Sequence, residues 1–309
     1  MARLFGRNYL VRITDLDESS GLNSIEIRPP FHISFNCQRK TKLASNLNLT
    51  IYGLGEKKRS ILAKRNYESA NGLIIENGQL VSNPIAGVKK RSTDRGYKEL
   101  QIELYIGYGE DSNLKRIFKG ELRQAVNTLS DQGYATEIEA FSTLSIRSRS
   151  FTSRTIRNRL DAIRQLMNDA GLEIGNIELA NSEYIRPKIL SGRPIDILKA
   201  MANDTTEQFF IDNEKAYFIK KNSTISDRII KVSADRGLLN TPTRQFELVN
   251  FRSMINPDFE IGSKIELESF VDKTVNGTYS ILDLVYVGDY EGPSWLVEVQ
   301  AQAIGETLG

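Results

Sequence analysis

Residues 251–289 read FRSMINPDFEIGSKIELESFVDKTVNGTYSILDLVYVGD, and this stretch decides the fold class. In its first strand-like run, Lys264–Phe270, the apolar Ile265 and Leu267 alternate with charged residues, which is the period of a half-buried strand. A second run covers Thr278–Val287. Asn276-Gly277 lies between the two runs and is a strong hairpin signal, so the stretch predicts paired antiparallel strands. Two further turn signals are Asn256-Pro257 and Gly288-Asp289.

The same alternation marks the chain from Asn8 to Phe141 and again at its last strand. Apolar residues recur at every second position, so each set turns one face to a core. The sets are Tyr9, Val11 and Ile13; Ile25 and Ile27; Leu47, Leu49 and Ile51; Ile102, Leu104 and Ile106; and Trp295, Val297, Val299 and Ala301. Many strands of this kind predict a barrel or a sandwich.

The middle of the chain has a helical period instead. Residues Ser153 to Ala170 are predicted to form a helix, with Ser153 as N-cap and Gly171 as the left-handed stop. Its apolar stripe comprises Ile156, Leu160, Ile163, Met167 and Ala170. A second helix is predicted from about Pro194 to Asn203, followed by a hairpin about Asp212–Lys215.

These patterns predict a mainly β chain with an α+β insertion. A first β domain covers residues 1–148, a small α/β domain covers 149–235, and a second β domain covers 236–309 and can share strands with 149–235. Residues 67–98 are rich in Asn, Gly, Ser, Lys and Arg. They are predicted to form an extended loop or hairpin that projects from the first domain.

Composition narrows the function classes. The 309 residues include 41 basic and 39 acidic ones, so no overall charge favours nucleic acid or anionic lipid. A single cysteine, Cys37, excludes an internal disulfide framework and a cysteine-rich zinc site. The N-terminal residues lack a long apolar segment, and no run approaches the length of a membrane span. We therefore expect synthesis in the cytosol and no membrane partner.

One segment resembles a calcium-binding loop. Its oxygen-bearing residues occupy loop positions one, three, five, nine and twelve: Asp15, Asp17, Ser19, Asn23 and Glu26. Position six is Ser20 rather than glycine, and strands rather than helices flank the segment. A solvated hairpin loop is the preferred interpretation.

A second segment could hold a phosphate. Gly53-Leu54-Gly55 follows a strand and precedes a short predicted helix, Glu56–Asn66, that carries Lys57, Lys58 and Arg59. The glycine spacing matches no phosphate-binding motif, so a strand-to-helix turn with a basic solvated face is preferred.

Six arginines form a basic stripe with only Asp161 to oppose them. They are Arg147, Arg149, Arg154, Arg157, Arg159 and Arg164. Such a stripe can contact phosphate, but it carries little aromatic interleaving, so a protein interface or solvated face is preferred.

The sequence contains few residues that could form a catalytic site. The pairs Glu137/Glu139 and Glu266/Glu268 each lie on one face of a strand, as solvated glutamates do. His32 is the only histidine and is expected on the polar side of its strand. With a single histidine the sequence does not favour a Ser-His-Asp triad or a histidine-rich metal site. We predict no catalytic residue, no cofactor and no metal.

An ordered set of segments resembles the baseplate hub proteins of contractile-tailed phages and the hub region of type VI secretion spikes. The segments are FGRNYLVRI, IRPPFHISF, LNLTIYGLG, LYIGYG, IFKGEL, LSGRPIDILKAMANDTTEQFFIDNEKAYFI, RGLLNTP, MINPDFEIGSKIELES and GTYSILDLVYVGDYEGPSWLVEVQA. Gly53 departs from the asparagine that the family often has there, and residues 67–98 resemble an insertion.

The resemblance implies a homotrimer in which each chain supplies two tube-like β domains of the barrel or sandwich type, so that three chains make a pseudo-sixfold ring. The ring would join a tail tube or tube-adaptor protein to the central spike. Wedge, sheath and tape measure proteins are further partners, and DNA is met only in transit. The channel wall would be polar or acidic, with the arginine stripe outside. The implied location is the virion.

Two alternatives stay open on the sequence. The chain could be a tail-associated cell-wall hydrolase, or a nucleic-acid-binding protein that uses the Arg147–Arg164 stripe. Neither is favoured, because no histidine-based site can be built and no nucleic-acid motif occurs.

Overall fold

The computed structural model describes residues 6–15, 24–41, 44–62, 73–76, 79–82, 100–130, 133–142 and 151–304. The chain is mainly β, as predicted. The strands are β1 (Arg7–Asp15), β2 (Ser24–Ile27), β3 (Ile33–Lys40), β4 (Asn46–Tyr52), β5 (Leu73–Glu76), β6 (Gln79–Ser82), β7 (Leu100–Tyr108), β8 (Lys115–Ser130), β9 (Gly133–Phe141), β10 (Thr152–Asn158), β11 (Glu173–Ile177), β12 (Glu183–Gly192), β13 (Glu207–Asp212), β14 (Lys215–Lys220), β15 (Ile229–Val232), β16 (Thr243–Gln245), β17 (Leu248–Met254), β18 (Lys264–Leu267), β19 (Gly277–Asp289) and β20 (Trp295–Ala303). The helices are α1 (residues 56–62), α2 (Arg159–Asp169) and α3 (Pro194–Asn203).

Thirteen strands form one sheet that joins both ends of the chain. Its order is β16-β17-β20-β19-β3-β4-β9-β8-β7-β1-β2, and β15 and β18 extend it beside β19. Strand β19 has 13 residues, so it spans two neighbours on one side. Its first residues pair with β18, and residues Asp283 to Asp289 pair with β3. The β3–β19 pairing makes the early and late β regions continuous.

The sheet curls so that strands far apart in its order meet across one core. The Tyr9 hydroxyl on β1 donates to the Phe31 carbonyl beside β3. The Tyr9 ring also lies edge-on to Tyr290, with centroids 5.2 Å apart. At the start of β1, Arg7 donates to the Asp289 carbonyl at 2.8 Å. These contacts close the first β region onto the end of β19.

The core follows the predicted alternation. Every apolar position named for the first β region and for the last strand is buried. The half-buried pattern of the sequence therefore predicts which face of each strand points inward. The outward positions carry mainly polar side chains, with exceptions such as Tyr105 and Leu296.

The region between β9 and β15 forms a separate α/β unit, with a two-stranded sheet (β10-β12), a three-stranded sheet (β11-β14-β13) and two helices. Its own core contains Ile163, Met167, Leu198, Met201 and Phe218. The second predicted helix and the hairpin after it are confirmed. Gly171 ends the first helix with φ +71°, also as predicted.

The start of the first helix was predicted wrongly. Residues Thr152–Asn158 form β10, and Asn158 rather than Ser153 is the N-cap; its side chain accepts from the Asp161 amide at 3.0 Å. The β-branched Thr152, Thr155 and Ile156 suit a strand, and pairing with β12 satisfies their backbone. Tertiary pairing thus overrides the helical spacing of Ile156.

The hairpin of β18 and β19 is present, but Asn276-Gly277 is not its two-residue turn. Leu267 pairs with Gly277, so nine residues connect the strands, including a 3-10 turn at Lys273–Val275. Asn276 instead accepts from the Ser269 amide at 2.7 Å, which closes this longer loop. Within residues 67–98, β5 and β6 pair as a two-stranded hairpin; the remaining residues there lie outside the described part of the chain.

Replacing Gly288 tests the packing where the two β regions meet. A Cβ atom at Gly288 would lie 2.2 Å from the ring of Phe35, its register partner on β3. Phe35 is buried and held edge-on by Trp295, with centroids 5.6 Å apart, so it cannot yield freely. We expect Gly288→Ala to lower the free energy of unfolding by about 1–3 kcal/mol in denaturant titrations.

The control is the same change in a Phe35→Leu background, where the smaller side chain leaves room for the new methyl group. There, adding Gly288→Ala should cost much less than it does alone. Equal costs in the two backgrounds would show that the contact with Phe35 is not the cause.

Candidate interaction surfaces

Of the five residues of the calcium-loop pattern, only Asp15 and Glu26 belong to the described part of the chain. Strand β1 ends at Asp15 and pairs antiparallel with β2, which carries Glu26; residues 16–23, on which the loop interpretation depends, lie outside the described residues. The Glu26 carboxylate forms ion pairs with Arg12 at 3.0 Å and with Arg28 at 3.1 Å. Hydrogen bonds from Arg12 and then Arg28 hold the pKa of Glu26 below its ordinary value. Across the described residues, no cluster of three His, Cys, Asp or Glu side chains could hold a metal.

The glycine-rich turn leads directly into a helix. Gly53 has φ +72°, and α1 follows at residue 56. The Arg59 guanidinium lies 3.7 Å from the ring centroid of Tyr134 on β9. This arginine is therefore used to hold the helix on the sheet.

His32 and Cys37 are both committed within the fold. The His32 ring stacks on Tyr52 with centroids 4.4 Å apart, and its Nε2 lies 2.8 Å from Asp289 Oδ1. Burial raises the pKa of Asp289, but hydrogen bonds from His32 and the Gly292 amide outweigh it and leave that pKa below its ordinary value. Burial raises the pKa of the Cys37 thiol to about 12, so the thiol is unreactive at neutral pH.

The paired glutamates lie on outward faces. Glu137 accepts from Thr128 Oγ1 at 3.3 Å, and Glu139 lies 3.9 Å from Arg123. Glu266 pairs with Lys231 at 3.2 Å. These placements match solvated strand faces.

The arginine stripe is split between different elements. Arg157 is exposed on β10 and Arg164 is exposed on α2. Arg159 is buried, with Nη2 2.6 Å from Glu207 Oε2, and so is unavailable to phosphate. Arg147 and Arg149, and the side chain of Arg154, lie outside the described residues. The stripe is therefore not one helical face.

The outer face of β2, β1, β7 and β8 carries a ladder of ion pairs, which we call the ion-pair face. Its pairs are Arg12–Glu26, Arg12–Glu103, Arg116–Glu103, Arg28–Glu26 and Arg28–Asp111. The pairs link neighbouring strands across the sheet.

The α/β unit contacts the sheet through a buried ion pair between Arg39 and Asp212, which we call the latch. Arg39 on β3 donates from Nε to Asp212 Oδ1 at 2.9 Å, and both side chains are 3% exposed. The Ile261 amide also donates to Asp212, at 3.1 Å. Burial opposes ionisation of Arg39, but attraction to Asp212 and then Tyr286 holds its pKa above the ordinary value.

The turn between β13 and β14 makes the second contact of this unit. Asn213 Nδ2 donates to the Arg116 carbonyl at 3.2 Å, and Glu214 pairs with Lys119. Both partners belong to the first half of β8, so the α/β unit contacts one of the strands that carry the ion-pair face. The latch was not predicted from the sequence; its one signal was an arginine in the core-facing phase of Phe35 and Cys37.

None of the helices in the described residues is long and apolar enough to cross a membrane. A family model described as Baseplate hub gp41 matches residues 41–288. No curated protein matches the chain.

Solved structures of tail proteins share the fold over most of the chain. The 43 kDa tail protein of prophage MuSo2 from Shewanella oneidensis is 7% identical, with 95% of this chain and 96% of that one covered and a TM-score of 0.59. The tail protein from Neisseria meningitidis MC58 is 8% identical, with 97% and 98% covered and a TM-score of 0.58.

An E. coli component of the type VI secretion system, described as structurally similar to the T4 bacteriophage tail proteins gp27 and gp5, is 8% identical. The match covers 95% of this chain and 77% of that one, with a TM-score of 0.55. At these identities the likeness shows the fold.

Proposed function

The chain belongs to the baseplate hub gp41 family, and from this premise we propose that it forms a homotrimeric, pseudo-sixfold ring that joins the tail tube to the central spike. The family is one of structural tail proteins, which places the protein in the phage baseplate and the virion. The ring lets DNA pass. Its neighbours are a tail tube or tube-adaptor protein, the central spike protein, and wedge, sheath and tape measure proteins.

The observation that carries this proposal is the β3–β19 pairing. Seven register pairs, from Asp283↔Lys40 to Asp289↔Ser34, join the two β regions into one wall. A chain with two wall segments supplies two of six positions, so three chains close a ring of sixfold character. The end strands of the sheet path, β2 and β16, have four and three residues, and contacts between subunits would cover these edges.

Exposed apolar residues at both ends of the sheet support a different partner at each end of the ring axis. Phe246, Phe270 and Val271 are 90%, 71% and 80% exposed at the end where β19 begins. Leu129 and Tyr134 are 75% and 51% exposed at the turn of β8 and β9. Register places that turn beside the other end of β19. Exposed apolar groups of this size mark protein contacts.

Phe246 adds a second sign of a contact. It has φ +55°, which is strained for a bulky residue, and Arg244 holds the turn by donating to the Phe246 carbonyl at 2.9 Å. A strained turn that presents an aromatic ring to solvent is typical of a binding position. The proposed role requires no catalysis, and His32 is engaged with Asp289 and Tyr52.

The oligomeric state tests this proposal. Light scattering of the purified chain should give three times the 34.9 kDa chain mass, and negative-stain images should show a hollow ring. If the chain alone is monomeric, mixing it with the spike protein of the same tail should produce the ring. A single-chain mass under both conditions would contradict the proposal.

A further inference from the structure

A second outer face of the sheet differs from the ion-pair face in its chemistry. Across β17, β20, β3 and β4 many of the outward positions carry side-chain amides, and others carry apolar groups such as Met254 and Leu296. The amides include Asn36, Gln38, Asn46, Asn48, Asn250 and Gln300. We call this surface the amide face. Its strands turn their other side to the core, where Phe35, Leu49 and Val299 are buried.

Register shows that the amide face crosses from one β region to the other. Asn36 pairs with Asn48, and Gln38 pairs with Asn46. On the β19 side, Gln38 lies opposite Val285. Directly paired residues share a face, so the surface continues to β20 through β19, where Val285 and Val287 lie between the amides of β3 and strand β20. There Gln300 Nε2 donates to Asn250 Oδ1 at 3.1 Å.

Each described basic side chain on this face has a carboxylate within 4.0 Å or at its register partner on the next strand. Arg252 pairs with Glu298 at 2.8 Å, and Arg123 lies 3.9 Å from Glu139. Lys40 is the register partner of Asp283. Glu137 adds a further carboxylate. The face is therefore uncharged or weakly acidic.

We propose that the amide face lines the channel of the ring and that its occupant is duplex DNA in passage; this inference rests on the proposed ring. Proteins hold DNA mainly through Lys and Arg contacts to phosphate, which release counterions. A wall of amide and apolar side chains, whose few basic residues each have a neighbouring carboxylate, offers no such hold, so the DNA slides past it. The α/β unit contacts β3 through Arg39, on the side opposite Asn36 and Gln38, and would lie outside the ring.

Single-cysteine labelling tests which face is inside. Asn48→Cys places a thiol on the amide face, and Gln101→Cys places one on the outward side of β7 as the matched control. The native Cys37 is fully buried and is not expected to react. After gold-maleimide labelling, electron microscopy should show the Asn48→Cys label within the channel and the Gln101→Cys label on the outside.

The outcomes separate this inference from the proposed function. A ring with the Asn48→Cys label on its outer surface would overturn the amide-face assignment and leave the ring intact. Failure of every variant and of the native chain to form a ring, with the spike protein present, would contradict the proposed function instead.

A charge change tests the occupant. In the phage, Asn36→Lys combined with Asn48→Lys should leave particle yield unchanged but reduce infections per particle by about tenfold, because added lysines hold the DNA. The control, Thr14→Lys with Gln101→Lys, should change infectivity by less than about twofold. Normal infectivity of the amide-face variant, or loss of assembled tails, would overturn the DNA assignment, the latter indicating a protein occupant.

Discussion

Arg39→Ala is expected to lower the free energy of unfolding by about 3–5 kcal/mol, because it leaves the Asp212 carboxylate buried without its cation. Both side chains are 3% exposed, so water cannot replace the lost partner. The remaining donor to Asp212 Oδ2 is the Ile261 amide, at 3.1 Å. Denaturant titration monitored by circular dichroism measures this change in the free energy of unfolding.

Two further variants show whether the loss of stability comes from leaving a buried charge unpaired or from losing an ion pair in general. The double change Arg39→Met with Asp212→Leu removes both charges. Its free energy of unfolding should therefore be close to or above that of the native chain, and well above that of Arg39→Ala. Lys119→Ala breaks the partly exposed pair with Glu214 at the same junction and should cost no more than about 1 kcal/mol. A small effect of Arg39→Ala, equal to that of Lys119→Ala, would contradict the role of the latch.

Glu207→Ala should have a similar effect, about 3–5 kcal/mol, within the α/β unit. The Glu207 carboxylate is fully buried and accepts from Arg159, Thr205 and the Ala180 amide, the last at 2.8 Å. Its removal leaves the Arg159 guanidinium buried, although Nη1 still donates to the Asn181 carbonyl at 2.7 Å. Differential scanning calorimetry should show an earlier transition of this unit.

The same carboxylate predicts an acid dependence. Burial raises the pKa of Glu207, but the hydrogen bonds from Arg159, Thr205 and Ala180 outweigh it, so the folded pKa lies below the ordinary value. A depressed folded pKa stabilises the protein above the unfolded pKa of about 4.3, and this stabilisation is lost as the pH falls through the folded pKa. Glu207→Gln should therefore show a shallower loss of stability below about pH 4.3 than the native chain. Identical acid slopes for the two proteins would contradict this assignment.

Local patterns predicted much of the fold. Alternation identified the buried face of β1, β4, β7 and β20, because a two-residue period reports burial on one side directly. The helix at Pro194–Asn203 was found from its proline and its apolar stripe. The stretch at Thr152–Asn158 was misassigned because its helical spacing competed with pairing to β12, which lies some 30 residues further on.

The interaction surfaces depend on long-range geometry and could not be predicted in that way. Strand β3 pairs with β19 across most of the chain length, and no local pattern reports such a pairing. The latch likewise needs Arg39 and Asp212, which are 173 residues apart. The amide residues alternate with buried apolar positions along their strands, but only the register shows that they lie on one side of the sheet.

Cryo-electron microscopy of the hub in isolated tails tests the proposed ring. We expect threefold density at the baseplate centre, with two β wall segments per chain joined through β3 and β19. Asn48 and Gln300 should face an open channel, with the α/β unit outside. A different number of copies, or a single chain without a channel, would contradict the trimeric ring.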